Sequence, residues 1–90
     1  MSDMQSVIMY TTPMCPYCAR ARRLLEEKGA TIEEKRAGLN VDLKNEMIEK
    51  SGGARTFPQI FIGDTHVGGC DDLMALNEEG KLDRQLAGDR

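Results

Sequence analysis

The segment between residues 7 and 28 constrains the fold more than any other part of the chain. The uninterrupted apolar run VIMY at 7–10 is typical of a strand that is buried on both faces of a sheet. Apolar residues then recur at helical spacing from Pro16 to Lys28, and Gly29 ends the pattern. A buried strand that leads through a short turn into an amphipathic helix predicts an α/β fold.

The rest of the chain continues this alternation and changes it near the end. Residues 31–36 predict a polar strand, which a turn at Gly38 and Asn40 follows. Residues 41 to about 51 predict a helix. Asn40 caps the start of this helix, and Gly52-Gly53 end it. Segments 58–62 and 65–67, joined by Gly63-Asp64, predict a hairpin. A last helix begins near Asp71, breaks at Gly80, and resumes with Leu82 and Leu86 as a short turn or helix.

The predicted order of elements is therefore β-α-β-α-β-β-α. A helical crossover makes the first two strands parallel, and the hairpin makes the later strands antiparallel. The sequence predicts a four-stranded mixed sheet flanked by helices. A chain of 90 residues buries too little surface for two cores, so we expect a single domain over residues 1–90.

Composition and charge exclude several classes of function. The formal charge is only -3, with both signs mixed along the chain, so we expect no binding to nucleic acid. No apolar run approaches the roughly 18 residues of a spanning helix, and the N-terminal stretch MSDMQSVIMY lacks the pattern of a signal peptide. We therefore expect a cytoplasmic protein that does not enter membranes.

The motif CPYC at 15–18 places two cysteines three residues apart at the start of the first helix. Three cysteines in a cytoplasmic protein do not form a disulfide framework, because thiols stay reduced there and an odd number cannot all pair. A zinc site needs four ligands, and the chain adds only Cys70 and His66 to Cys15 and Cys18. We interpret the two cysteines as a reactive pair; a chance or former zinc motif is the alternative.

The position of Pro16 assigns different roles to the two sulfurs. Proline suits the first position of a helix, so Cys15 lies at the cap, where free amides and the helix dipole stabilise a thiolate. Cys18 lies one turn later on the same face and deeper, where a thiol can attack a disulfide formed on Cys15. We interpret Cys15 as the nucleophile and Cys18 as the resolving thiol.

Two further motifs each allow two interpretations. The proline of Thr56-Phe57-Pro58 either marks a sheet edge in the trans form or forms a cis turn that presents the Phe57 backbone to an extended peptide. The segment GGCDD at 68–72 is either a tight turn with an acidic helix cap or a site for a ligand's ammonium and carboxylate groups.

The remaining reactive or unusual side chains are given ordinary structural interpretations. We interpret Cys70 as a small buried residue rather than a redox thiol, and His66 as a surface residue. The six methionines are interpreted as core residues or the chain start. Arg20, Arg22 and Arg23 are interpreted as a solvated helix face that adds positive potential near Cys15.

Taken together, CPYC at 15–18, TFPQIFI at 56–62 and GGCDDL at 68–73 resemble the glutaredoxins, specifically the small bacterial dithiol type. The resemblance extends from about Val7 to Leu86. It implies a thioredoxin fold, glutathione as the co-substrate, no metal, and reduction of glutathionylated proteins and protein disulfides. It also implies a monomer that receives electrons from glutathione reductase indirectly, through glutathione.

The resemblance further implies a cis Pro58 and a set of glutathione-binding residues: Tyr17, Thr56, Phe57, Pro58, Gly69, Cys70, Asp71 and Asp72. The chain departs from the family at two of its positions. Thr12 stands where many relatives have lysine, and Phe57 where valine is usual. Arg55 and Arg20 are both candidates for the charge that Thr12 does not supply.

Two other functions remain as alternatives. One is an iron-sulfur carrier, in which two chains and two glutathiones hold a cluster through Cys15. Pro16 disfavours it, since relatives that assemble clusters usually have glycine or serine there. The other is a thioredoxin reduced directly by a flavin reductase, disfavoured because Pro16-Tyr17 replaces the usual Gly-Pro between the cysteines.

Overall fold

The computed structural model describes residues 4–88. Its elements in chain order are β1 (Val7–Tyr10), α1 (Pro16–Glu27), β2 (Ile32–Lys35), a 3-10 turn (Ala37–Leu39), α2 (Val41–Lys50), β3 (Gln59–Ile62), β4 (Thr65–Gly68), α3 (Cys70–Glu78) and α4 (Leu82–Ala87). Each predicted strand and helix is present close to its predicted bounds. The expectation about the N-terminal stretch depends partly on residues 1–3, which lie outside the described residues.

The strands form one mixed sheet in the order β2-β1-β3-β4. β1 runs parallel to β2, with Val7 opposite Ile32, because α1 carries the chain back to the same end of the sheet. β1 pairs antiparallel with β3, and β3 pairs antiparallel with β4 across the turn at Gly63. The predicted topology is confirmed, and β1 and β3 are the central strands.

Both faces of the sheet are covered, which explains the uninterrupted apolar runs of β1 and β3. Alternate residues point to opposite faces, so Val7 and Met9 belong to one core while Tyr10 belongs to the other. The first core contains buried residues of α1, α3 and α4: Ala21, Leu25, Cys70, Leu73, Leu82 and Leu86. The second core lies under α2 and contains Ala37, Met47 and Phe61.

The short C-terminal segment forms a helix, α4. The sequence alone predicts either a turn or a helix for this segment. Leu82 and Leu86 are both fully buried in the first core. Lys28 at the end of α1 forms an ion pair with Asp83 over 3.1 Å. These contacts hold α4 against α1 and against the sheet. Between residues 4 and 88, no helix combines the length and apolar character that a membrane crossing requires.

A buried tyrosine joins α2 to the central strands. The hydroxyl of Tyr10 donates a hydrogen bond to the carboxylate of Glu46, and Lys35 on β2 binds the same carboxylate over 2.7 Å. Burial, together with the hydrogen bond to Glu46, raises the pKa of Tyr10 well above its usual range. The hydrogen bond from Lys35 is the main cause that lowers the pKa of Glu46.

Candidate active site

Cys15 lies at the N-terminal cap of α1, as its position before Pro16 predicts. Its backbone is extended, with φ −105° and ψ 106°, and its sulfur accepts a hydrogen bond from the backbone N–H of Cys18 over 3.3 Å. The first amides of a helix have no partner within the helix, so this sulfur satisfies one of them. Cys15 is half-buried and remains in contact with solvent.

Cys18 is in a different environment, although it is only one turn away. Its side chain is 2% exposed. Burial, followed by the hydrogen bond with Cys15, raises the pKa of Cys18 to about 11. Cys18 is therefore a protonated thiol at neutral pH. All three cysteines are free thiols in this structure.

The two sulfurs line a cleft of about 330 Å³, called here the cysteine cleft, whose other lining residues come from the loop before α1, from α1 itself and from the segment 34–39. Arg22 on α1 binds both carboxylate oxygens of Glu34, with distances of 3.2 and 3.0 Å. Thr11 donates its hydroxyl proton to the same carboxylate over 2.8 Å. Arg22 is thus paired rather than a freely solvated arginine, and its charge opposes the rise in the pKa of Cys18.

Met14, which also lines the cysteine cleft, contradicts the interpretation of the methionines as core residues. Met9 and Met47 are fully buried, but Met14 is fully exposed, with a left-handed φ of 56°, and Met4 is also exposed. Met14 lies in the surface loop between β1 and α1, where no element packs over it.

A second cleft, of about 380 Å³, lies between the start of β3, the end of β4 and the start of α3, and is called here the main cleft. Its lining includes all eight residues for which the family resemblance implies glutathione binding: Tyr17, Thr56, Phe57, Pro58, Gly69, Cys70, Asp71 and Asp72. The peptide bond between Phe57 and Pro58 is cis, as the resemblance implies. Cys15 lines the cysteine cleft, and Tyr17 connects α1 to the main cleft.

The start of α3 places two carboxylates at the rim of the main cleft. Gly69 is the N-cap, and its N–H donates to the carboxylate of Asp72 over 3.0 Å. Gly68 has a φ of 117°, and a Cβ there would lie 2.3 Å from Asp72 Oδ2, so only glycine fits. Asp71 and Asp72 are both exposed. The turn is thus present, with Gly69 as the cap residue and the two carboxylates in the first turn of α3, while ligand binding by these carboxylates stays a prediction.

Cys70 is buried, as predicted, with 5% of its surface exposed. Burial is the largest cause that raises the pKa of Cys70; the positive charge of Arg20 opposes the rise, and the negative charges of Asp71 and Cys15 add to it. Cys15 therefore lies close enough to interact with a residue of the main cleft. Arg20 and Arg55 line neither cleft, although the charge of Arg20 acts on Cys70, and Thr12 lines the cysteine cleft.

The comparison with known protein families identifies the family of this chain. The family model described as Glutaredoxin matches residues 7–67. The chain belongs to the glutaredoxin family. It is therefore a thiol-disulfide oxidoreductase, and the resemblance that the three motifs indicate is confirmed.

Individual relatives agree with this assignment over nearly the whole glutaredoxin chain. A glutaredoxin of Pseudomonas aeruginosa is 50% identical over 84 residues, which cover 93% of this chain and 99% of the relative. The solution structure of a Brucella melitensis glutaredoxin has a TM-score of 0.80 and 56% identity, covering 98% of this chain and 96% of that one. The expected thioredoxin fold is thus confirmed.

A third relative was solved with a ligand. The crystal structure of a buckwheat glutaredoxin–glutathione complex has a TM-score of 0.82 and 29% identity, and the match covers 93% of this chain and 78% of that one.

Residues 4–88 contain no group of three or more His, Cys, Asp or Glu side chains that could hold a metal ion.

Four further residues line the main cleft that sequence reasoning did not assign to the site, namely Ala54, Gln59, His66 and Gly68, and Gln59 and His66 are the two with polar side chains. Gln59 is a buried polar residue, 3% exposed, at the start of an otherwise apolar strand. His66 is exposed, as predicted, but its Nε2 lies 2.7 Å from Gln59 Oε1. The sequence offered one signal, the glutamine within the apolar segment PQIFI. A buried polar side chain needs hydrogen-bond partners, so a glutamine at this position predicts a polar neighbour.

Proposed function

We propose that this glutaredoxin is a glutathione-dependent disulfide reductase, in which Cys15 is the nucleophile and Cys18 the resolving thiol. Its substrates are glutathionylated proteins and protein disulfides. The observation that carries the proposal is the difference between two neighbouring sulfurs. Cys15 is half-buried and accepts an amide hydrogen bond, while burial raises the pKa of Cys18 to about 11. One sulfur is suited to attack, and the other stays protonated until it is needed.

Reduction of a glutathionylated protein takes two exchanges at Cys15. The Cys15 thiolate attacks the glutathione sulfur, so that a bond between Cys15 and glutathione forms and the bond to the substrate breaks. The substrate leaves as a thiolate and takes a proton from water. A second glutathione thiolate then attacks the bound glutathione, releasing glutathione disulfide and restoring the Cys15 thiolate.

Reduction of a protein disulfide uses Cys18 in the second exchange. Attack by Cys15 on one sulfur of the substrate disulfide forms a mixed disulfide and releases the other substrate sulfur as a thiolate. The Cys18 thiolate then attacks the Cys15 sulfur, which forms a Cys15–Cys18 disulfide and releases the second substrate thiolate. Two glutathiones reduce this disulfide in turn and leave as glutathione disulfide. The hydrogen bond and the negative charge of Cys15 both contribute to the raised pKa of Cys18. Both are lost when Cys15 enters a disulfide, so Cys18 ionises more readily at the step that requires its thiolate.

We propose that glutathione binds in the main cleft, through the eight residues implied by the family resemblance. The carboxylates of Asp71 and Asp72 suit the ammonium group of the γ-glutamyl residue, and free amides at the start of α3 suit a carboxylate. The Phe57 backbone offers an N–H and a C=O to the cysteine of the tripeptide. A volume of about 380 Å³ is adequate for part of a small peptide, and the buckwheat relative was solved with glutathione.

The proposed cellular setting follows from the chemistry. Glutaredoxins have reduction potentials of about −200 to −230 mV, above the cytosolic glutathione poise measured by probes, so the Cys15/Cys18 pair rests reduced. Glutathione disulfide returns to glutathione through glutathione reductase. We place the protein in the cytoplasm, as a monomer that needs no metal, nucleic acid or membrane for this reaction.

Two cysteine variants test the proposal. We expect Cys15→Ser to abolish turnover, measured with glutathione, glutathione reductase and NADPH, of both a glutathionylated peptide and a protein disulfide. Cys18→Ser is expected to retain reduction of the glutathionylated peptide and to lose reduction of the protein disulfide. Equal loss of both activities in Cys18→Ser would contradict the assigned roles. Turnover with thioredoxin reductase alone would favour the thioredoxin alternative.

A further inference from the structure

A chain of hydrogen bonds runs from the edge strand β4 to the rim of the main cleft. Gln59 Nε2 donates to the backbone carbonyl of Thr56 over 3.0 Å and lies 3.1 Å from the Thr56 hydroxyl. His66 Nε2 lies 2.7 Å from Gln59 Oε1. The three side chains all line the cleft, and two of the three are exposed, whereas Gln59 is buried between them.

The chemistry of these groups determines which atom carries each proton. The Thr56 carbonyl can only accept, so the nitrogen of the Gln59 amide must face it. The amide oxygen then faces His66 and can also only accept. His66 Nε2 must therefore carry a proton, which excludes the neutral tautomer protonated at Nδ1.

The packing of β3 against β4 places His66 where it can make this bond. His66 stands opposite Phe61, and the pairing of the two strands shifts between Ile60 and Phe61. The His66 ring stacks on Phe61, with ring centres 4.8 Å apart. Gln59 lies two residues from Phe61 on the same strand and therefore on the same face, within reach of a diagonal neighbour.

We propose that Gln59 and His66 are positioning residues for glutathione. Gln59 holds the Thr56 carbonyl, and so the backbone leading into Phe57, while the His66 N–H keeps the Gln59 amide in the orientation that does this. The inference rests on the proposed function, because Phe57 is the residue assigned to the cysteine of glutathione. Neither positioning residue needs to touch the reacting sulfurs.

The exposed position of His66 allows a test that does not disturb the core. His66→Phe keeps a ring that stacks on Phe61 but removes the N–H, whereas His66→Gln keeps a donor. We expect His66→Phe to raise the KM for glutathione by about three- to tenfold, the range that one net hydrogen bond represents, with kcat unchanged. His66→Gln should stay within about twofold of the wild-type KM, as should Thr65→Ala, a control on the same strand outside the main cleft.

A stronger variant and a direct measurement complete the test. Gln59→Leu removes both contacts to Thr56 and should raise the KM at least as far as His66→Phe, provided that its circular dichroism spectrum matches the wild type. Nitrogen NMR of the imidazole in alkaline buffer should show the proton on Nε2. The same spectra should show the Gln59 side-chain amide and the Thr56 amide shifting in His66→Phe but not in Thr65→Ala.

The outcomes separate this inference from the function on which it rests. If glutathione does not support turnover by the wild-type protein, the proposed function is contradicted. The NMR spectra would still report whether the hydrogen bonds of Gln59 and His66 form. A proton on Nδ1, an unchanged KM in His66→Phe, or equal losses in His66→Phe and His66→Gln would overturn the positioning role.

Discussion

The backbone amide of Cys18 donates a hydrogen bond to the sulfur of Cys15 over 3.3 Å. This contact joins the residue that we propose as the nucleophile to the residue that we propose as the resolving thiol. The sulfur of Cys15 satisfies one of the amides that have no partner within the helix, so it is held at the start of α1. The same Cys15 sulfur contributes to the raised pKa of the Cys18 thiol, which therefore stays protonated at neutral pH.

The first prediction concerns the order in which the thiols react. Cys18 should be alkylated by iodoacetamide with a midpoint near pH 11, because burial and the Cys15 hydrogen bond raise its pKa to about 11. Cys15→Ser should move this midpoint to lower pH, since the thiolate charge and its hydrogen bond are gone. Mass spectrometry of the separated peptides measures both, with circular dichroism at each pH to verify folding. Labelling of Cys18 as fast as Cys15 at neutral pH would contradict the prediction.

The second prediction concerns the buried tyrosine of the second core. Tyr10→Phe should reduce the free energy of unfolding by about 1 to 2 kcal/mol, because it removes a hydrogen bond to the Glu46 carboxylate. Tyr17→Phe is a matched control, since the Tyr17 side chain is 56% exposed, and should change stability by less than about 0.5 kcal/mol. Urea unfolding measures both variants, and equal losses would show that the buried Tyr10 hydroxyl stabilises the fold no more than the exposed hydroxyl of Tyr17 does.

The third prediction is the pH dependence that the same pair produces. The folded state raises the pKa of Tyr10, so it retains a proton that the unfolded chain releases above about pH 10, and stability should fall there. The folded state lowers the pKa of Glu46, so stability should also fall as pH drops through about 4. Unfolding free energies across pH measure both limits. Tyr10→Phe should reduce the loss of unfolding free energy at alkaline pH. If this loss is the same in Tyr10→Phe as in the wild type, groups other than Tyr10 cause it.

The fourth prediction separates two neighbouring carboxylates. Asp72 accepts a hydrogen bond from the Gly69 N–H at the cap of α3, so Asp72→Ala should lower stability by about 1 kcal/mol. Asp71→Asn should leave stability unchanged and raise the KM for glutathione a few-fold, with a smaller effect at high salt. Thermal unfolding and steady-state kinetics at two salt concentrations measure these effects. A KM unaffected by Asp71→Asn would remove this residue from the glutathione site.

The fifth prediction concerns the iron-sulfur alternative. Protein purified without air should show no visible absorption band, because Pro16 follows Cys15 where cluster-assembling relatives usually have glycine or serine. The comparison should include a Pro16→Gly variant purified in the same way. A visible band from the wild-type protein, together with bound iron and sulfide, would contradict the expected absence of a metal.

Much of this protein can be predicted from local sequence, because helices, caps and turns depend on residues a few positions apart. The cap at Cys15 follows from Pro16, and the Asn40 cap of α2 follows from its side chain, which accepts from the Leu43 N–H over 3.0 Å. The apolar runs of β1 and β3 likewise identify the two strands covered on both faces. The eight expected glutathione residues line one cleft because three separate motifs meet there.

Only the tertiary structure decided the contacts between distant elements. The Arg22–Glu34 pair, the Tyr10–Glu46 bond and the Gln59–His66 bond all join residues on different elements. Their geometry depends on strand register, and a shift of one residue would turn each strand side chain to the other face. Periodicity shows that a residue is on a strand or a helix, but not which distant side chain it meets. For this reason the sequence determined the fold and the position of Cys15 and Cys18 at the start of α1, while packing across the sheet determined what surrounds and orients the two cysteines.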